Sequence, residues 1–305
     1  MTHAASLLSR AARSGLSFTE ATEPLTVPDS MAPVLLDGVR RQRIAGLLCA
    51  ALADGSMRAT PEFHEAAREA HLAGLRTSLA CEATAVVTAL TLSAAGVPCR
   101  VLKGIALAHL DYPDPSMRLF GDADVLVRRA DLTAAIAALR GRSFERDQPP
   151  VRAWWERRYG KAVVLQAPGG SELDLHLTLT GGFYGLAIDD DDLFREPGET
   201  FNVAEQALQA LPVAMRLLHA AYHVVLGGGS GLRAMRDVAQ LIDVQPGAVA
   251  DACMWARRWR GEAVLAAAIR STWSALALPG SHPAVEWAAH LRQHPDDIAR
   301  LATYR

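Results

Sequence analysis

Arg118-Leu119-Phe120-Gly121-Asp122-Ala123-Asp124-Val125-Leu126-Val127 is the stretch on which the reading of this chain turns. A strand is expected over 119–127. Side chains alternate across a strand, so Asp122 and Asp124 are expected on one face, about 7 Å apart. Ala123, Val125 and Val127 face the other way and can enter a core. Two ionised carboxylates so close repel each other, and burying them without a counter-charge is unfavourable. A divalent cation is the natural counter-charge, and Mg²⁺ prefers carboxylate oxygen together with substrate phosphate. Taken alone, Asp-x-Asp also fits two solvated carboxylates at a strand end.

A second stretch sharpens the choice. In Glu172-Leu173-Asp174-Leu175-His176-Leu177 the alternation is strict. Glu172, Asp174 and His176 share one face, and the three leucines share the other. If the two strands are neighbours, Asp174 joins Asp122 and Asp124, and three converging carboxylates form a two-metal site. His176 either takes part in the chemistry or caps a backbone group. Upstream, Leu102-Lys103-Gly104 stands where a short strand, 98–102, turns into a helix. Glycine there would let backbone approach a phosphate, a helix N-terminus offers N–H groups to anions, and Lys103 adds a point charge. Arg118 is a second candidate phosphate contact.

Working outward, residues 1–97 carry apolar residues at helical spacing in 6–17, 34–54 and 60–95, punctuated by prolines, and read as a helical lobe. Residues 98–200 read as a small α/β core: helix is expected at 131–140, and strands at 162–166 and 172–179 around the turn Pro168-Gly169-Gly170. Residues 201–305 read as a C-terminal helical domain, with helices over 204–226 and 232–244 joined by a glycine run, 227–231, that is a candidate mobile lid. The fold class expected is α+β, a mixed-sheet core flanked by helical regions.

Taken together, Leu102-Lys103-Gly104, Tyr112, Arg118, Asp122-Ala123-Asp124-Val125-Leu126-Val127 and Leu173-Asp174-Leu175-His176 resemble the nucleotidyltransferase superfamily related to DNA polymerase beta. The likeness is strongest to its branch known as uncharacterised nucleotidyltransferases. It covers roughly residues 98–180, with weaker support from 217–242. The resemblance implies a mixed-sheet nucleotidyltransferase core, two Mg²⁺ ions, and transfer of a nucleoside monophosphate from an NTP such as ATP, with release of pyrophosphate. It implies Asp122 and Asp124 as the metal-binding pair, Asp174 as the third carboxylate, and Lys103 and Gly104 in the place of the phosphate turn. The chain departs from the common pattern in having a single glycine at that turn, more distant from the Asp pair than is usual.

The chain has 305 residues, half of them hydrophobic, and a formal net charge of -2. That composition fits a packed protein and disfavours a basic nucleic-acid surface over the whole chain. Aromatic residues make up only 6%, which disfavours long base-stacking platforms. The acceptor expected is a hydroxyl or phosphate of a small molecule, peptide or protein. A toxin-like tRNA nucleotidyltransferase and a non-catalytic nucleotide-binding protein are the alternatives. Cys49, Cys81, Cys99 and Cys253 show no metal spacing and read as small hydrophobes in a reducing compartment. Residues 1–13 lack a signal-peptide pattern, and stretches such as 264–278 are too short to span a bilayer, so a cytoplasmic protein is expected.

Several weaker candidates remain. His219 and His223 have metal-ligand spacing on a helix but lack the zincin glutamate, and read as packing histidines. Arg233, Arg236 and Asp237 read as a charged helix face or as groups closing over a nucleotide. The run Asp189–Asp192 reads as a solvated loop. Trp154-Trp155 with Arg157-Arg158 reads either as a base-stacking platform or as a helix anchored on the core.

Overall fold

The computed structural model describes residues 3–19, 23–149, 152–227, 231–292 and 294–303. The chain begins with α1 (His3–Arg13), a two-residue strand β1 (Leu25–Thr26), α2 (Ala32–Gln42) and α3 (Ala45–Ala53). Helix was expected without a break over 34–54. Instead Arg43 takes a left-handed conformation (φ 52°) that closes α2, and Ile44 is buried before α3 starts. A second short strand, β2 (Met57–Arg58), pairs with β1 in parallel. Then comes the long α4 (Pro61–Ala94), opened by Pro61 in the first turn and by the Thr60 hydroxyl accepting from Phe63 N–H.

The sheet follows: β3 (Cys99–Val101), α5 (Lys103–Leu110), β4 (Ala123–Val127), α6 (Leu132–Arg140), β5 (Glu145–Arg146), α7 (Ala153–Tyr159), β6 (Ala162–Gln166), β7 (Glu172–His176), α8 (Gly182–Ala187), α9 (Asp190–Arg195), β8 (Glu199–Val203) and β9 (Gln206–Ala210). These strands form a seven-stranded mixed sheet in the order β5-β6-β7-β4-β3-β9-β8. β4 pairs parallel with β7 and antiparallel with β3; β3 pairs parallel with β9. The fold is α+β. The helix expected from residue 204 is corrected: 199–210 is a hairpin added to the sheet edge, and helix starts at Val213. The boundary expected at residue 200 falls inside β8. The hairpin alternates, with Phe201, Val203, Leu208 and Ala210 buried, so period two overrides the alanine and leucine content that suggested helix.

The C-terminal helices are α10 (Val213–Leu226), α11 (Leu232–Val244), α12 (Ala248–Arg258), α13 (Glu262–Leu276), α14 (Pro283–His290) and α15 (Pro295–Ala302). The proposed lid at 227–231 lies largely outside the described residues. One face of the sheet packs on α4 and α6: Val125, Val127, Leu173 and Leu175 meet Cys81, Ala85, Leu92, Leu132 and Leu139 in one cluster. The other core joins α1–α3 to the C-terminal helices and reaches Leu126 of β4. Arg236, expected on a charged face, is instead fully buried and donates to the carbonyls of Ala12 and Ser14, tying α11 to the end of α1.

Three further expectations change. Asp192 is no solvated carboxylate: it is buried, accepting from Arg258 and from Trp259 Nε1. Trp154 and Trp155 on α7 are exposed and do not anchor that helix in the core. Among the described residues α4 is long and apolar enough, by length and composition, to cross a membrane. In this fold it packs against α3 and the sheet, with Ser78, Thr84 and Thr88 among its buried positions.

Candidate active site

The site grows from the parallel pairing of β4 and β7. Their register sets Asp124 directly beside Asp174 and Leu126 beside His176. Because side chains two apart share a face, Asp124, Asp174 and His176 project from the same side of the sheet. Ala123, Val125, Leu173 and Leu175 point into the α4 core and hold both strands in register. Ligand atoms of Asp124, Asp174 and His176 all lie within 4.8 Å of one another.

Asp124 is buried, 2% exposed, and its Oδ1 accepts from Lys103 Nζ at 2.7 Å. The same oxygen lies 2.6 Å from His176 Nε2, and Asp174 Oδ2 lies 3.8 Å from that nitrogen. His176 Nδ1 faces the Thr178 carbonyl at 3.3 Å. Thus His176 both touches the carboxylates and meets a backbone group. Burial alone pushes the Asp124 carboxyl up, but Lys103 and His176 overcome this and hold it well below the usual range. Burial pushes the Asp174 carboxyl up, His176 and Lys103 oppose, and Asp124 and Asp122 add repulsion.

Asp122 stands apart from this triad. The strand expected over 119–127 begins only at Ala123, so Asp122 lies half-buried in the bend before it. Leu119 and Phe120 are held by α4 instead: Leu119 lies over Gly74, and the Ser78 hydroxyl bonds both Phe120 N and O, at 3.0 and 3.1 Å. Asp122 is still near enough to add repulsion at Asp174 and Glu172. β7 likewise ends at His176, before the expected Leu179.

Two expected phosphate contacts serve the fold. Arg118 is buried; Nε and Nη2 donate to Asp237 at 2.8 and 2.7 Å, and Nη1 donates to the Leu119 carbonyl. All three nitrogens are engaged, so the guanidinium ties the acidic segment to α11 and presents no free charge. Gly104 is buried in α5, and a Cβ there would stand 2.6 Å from Phe120 Cβ. The glycine is required by this helix-to-loop contact. Lys103 has φ 38°, uncommon for a side chain with a Cβ, and this turn aims its ammonium at Asp124.

One group at the site carried no motif in the sequence. Lys161 stands immediately before β6; desolvation and Lys103 push its pKa down while Asp124, Asp174 and Asp122 hold it up. Its place beside the acids follows from β6 pairing with β7, which no local pattern announces. His219 is buried on α10, its ring centroid 6.0 Å from that of His176, and its Nε2 has no hydrogen-bond partner. His223 follows one turn later, half-buried.

The donor set suits a divalent ion. Two carboxylate oxygens and an imidazole nitrogen converge, and a divalent cation among them would offset the repulsion that Asp124 and Asp122 exert at Asp174. The model of a family described as uncharacterised nucleotidyltransferase matches residues 29–272, a span that contains the whole site. The chain belongs to this family. No curated protein matches it. Among solved structures, an antigenic nucleotidyltransferase-like protein from Paracoccidioides brasiliensis shares 16% identity at a TM-score of 0.40, over 68% of this chain and 98% of that one.

Proposed function

We propose that this nucleotidyltransferase-family protein moves a nucleoside monophosphate from an NTP to a hydroxyl or phosphate of a small molecule, peptide or protein, releasing pyrophosphate. The observation that carries the reading is Asp124 set beside Asp174 in parallel register, with Lys103 and His176 on the same carboxylate. Asp124 and Asp174, with Asp122 at the rim, would hold divalent ions, Mg²⁺ by the hardness of their oxygens and two by family pattern. When bound, such ions neutralise phosphate charge and polarise the acceptor hydroxyl.

The chain's own groups then have defined work. His176, braced toward Thr178, orients Asp124. Lys103 places a cation beside the reacting phosphates. Asp174, whose carboxyl is pushed up, is the group positioned to take the acceptor's proton. As the acceptor oxygen bonds to the α-phosphorus, the bond from that phosphorus to the β-phosphate oxygen breaks and pyrophosphate leaves with the electron pair. All four cysteines are free, which suits a cytoplasmic setting.

Incubation with each α-labelled NTP and Mg²⁺, followed by size separation of products, tests the reaction and its acceptor. Label is expected on a small molecule or protein. Label on RNA instead would move the reading to tRNA. The double variant Asp122→Asn/Asp124→Asn is expected to lose at least about a hundredfold in pyrophosphate release. Undiminished release would show that the chemistry lies elsewhere.

A further inference from the structure

Helix α7 turns its aromatic residues to solvent. Trp154, Trp155 and Tyr159 are 55%, 44% and 45% exposed. Their rings nonetheless gather: the Tyr159 centroid lies 6.4 Å from that of Trp154 and 5.9 Å from that of Trp155. Single exposed apolar residues are ordinary, but three large rings clustered on one short helix mark a surface for association. Polar ties hold the helix in place. Arg129 Nη1 donates to the carbonyls of Arg157 and Gly160 at 2.8 and 3.1 Å, and Arg146 pairs with Glu156. None of these ties uses an aromatic ring.

The same surface is basic. Residues 152–161 hold four cations, Arg152, Arg157, Arg158 and Lys161, against one acid, Glu156, in a chain whose net charge is -2. That acid is taken up by Arg146. Among the described residues Arg152, Arg157 and Arg158 are in no ion pair, and Arg158 lies over the Tyr159 ring at 6.0 Å. Trp, Tyr and Arg together are the composition of protein-binding hot spots, and unanswered arginines select an acidic partner. The rings are inclined to one another by 75° and 47°, so they form a knob rather than the row of open faces on which successive bases stack. An acidic peptide segment fits this surface better than a nucleic-acid strand. The surface also adjoins the acids. Ala162 pairs with His176, and Leu177 N donates to the Lys161 carbonyl at 2.8 Å. Tyr159, three residues ahead of Ala162, lies within about 11 Å of it along the chain. An extended peptide seated on the rings reaches the acids in about three or four residues.

We propose that α7 docks the acceptor, and that the acceptor is a peptide or protein segment carrying acidic side chains a few residues from the hydroxyl that reacts. The rings of Trp154, Trp155 and Tyr159 grip an apolar residue of that segment, and Arg152, Arg157 and Arg158 meet its carboxylates. The segment's hydroxyl oxygen bonds to the α-phosphorus, its proton passes to Asp174, and pyrophosphate leaves with the electron pair of the broken bond. The proposal rests on nucleotidyl transfer for what the hydroxyl receives; the docking itself does not.

Selection from a random decapeptide library on the full chain tests the docking without turnover. The wild type is expected to enrich Asp and Glu beside an apolar residue, and the charge-reversed Arg157→Glu/Arg158→Glu variant to enrich Lys and Arg instead. The best wild-type peptide, labelled with fluorescein, is expected to bind Trp154→Ala/Trp155→Ala at least about tenfold more weakly. All four side chains are exposed, so both variants keep their fold, checked by the thermal midpoint. The docking is overturned if no peptide is retained, if the selected peptides carry no acidic bias, or if both variants keep wild-type affinity. Tighter binding of oligouridine, lost in the same variants, would also overturn it and make α7 an RNA surface. Acidic peptides held by α7 with no label transfer from any NTP to any acceptor would refute the transferase reading and leave the docking standing. Label moving to an acceptor at undiminished rate in both variants would keep the transferase and overturn α7 as the acceptor's dock.

Discussion

Replacing Gly104 with alanine separates packing from ligand approach. On an ordinary helix the change is stabilising by up to about 1 kcal/mol. Here the new methyl would stand 2.6 Å from Phe120 Cβ and 2.8 Å from its Cγ. Neither atom is the loose end of a side chain, so relief requires the backbone at residue 120 to move. That backbone is pinned on both sides by the Ser78 hydroxyl. Overpacking of about 1–3 kcal/mol and weakening of two hydrogen bonds at about 1 kcal/mol each outweigh the helical gain. Gly104→Ala is therefore expected to destabilise by about 2–3 kcal/mol, lowering the urea midpoint by roughly 1 M. In a Ser78→Ala background, where residue 120 is already released, the same change is expected to be milder by about 1 kcal/mol. An unchanged midpoint with lost tripolyphosphate binding would refute the reasoning and return Gly104 to the phosphate turn.

Asp237→Asn strips the buried Arg118 of its counter-charge and is expected to lower stability by about 3–5 kcal/mol in urea unfolding. Burial, then Lys103 and Arg233, lower the His223 pKa from 6.5 to about 4. The unfolded chain therefore binds this proton first as pH falls. Stability conferred by neutral His223 is present above pH 6.5 and is lost toward pH 4, by at most about 3 kcal/mol. His223→Gln is expected to flatten that part of the urea-stability profile. Mg²⁺ or Mn²⁺ at a hundred times its Kd is expected to stabilise the wild type by about 2.7 kcal/mol. Neither Asp124→Asn nor Asp174→Asn should show that rise in thermal midpoint.

Much of the site could be read along the chain because alternation is a local property. The polar face of 172–176 and the apolar faces of both acidic strands needed only a period of two, and the family likeness carried the Asp pair with them. Alternation also misled at its ends. Leu119 and Phe120 have strand-like neighbours, yet α4 captures them through Gly74 and Ser78, so Asp122 leaves the strand. The hairpin 199–210 was hidden because alanine, leucine and glutamine favour helix, and its pairing to β3 is settled by a partner about a hundred residues away in the chain.

What the amino-acid sequence determined by itself was the kind of chemistry: carboxylates spaced to share a strand face, a lysine ahead of them, and the helices that flank them. Only the tertiary structure decided which charges are free to act. Arg118 and Asp237 are 119 positions apart and cancel each other, while Lys103 and His176, on separate elements, meet on one oxygen of Asp124. Charge is written residue by residue, but its availability depends on which opposite charge folding brings within a few ångströms.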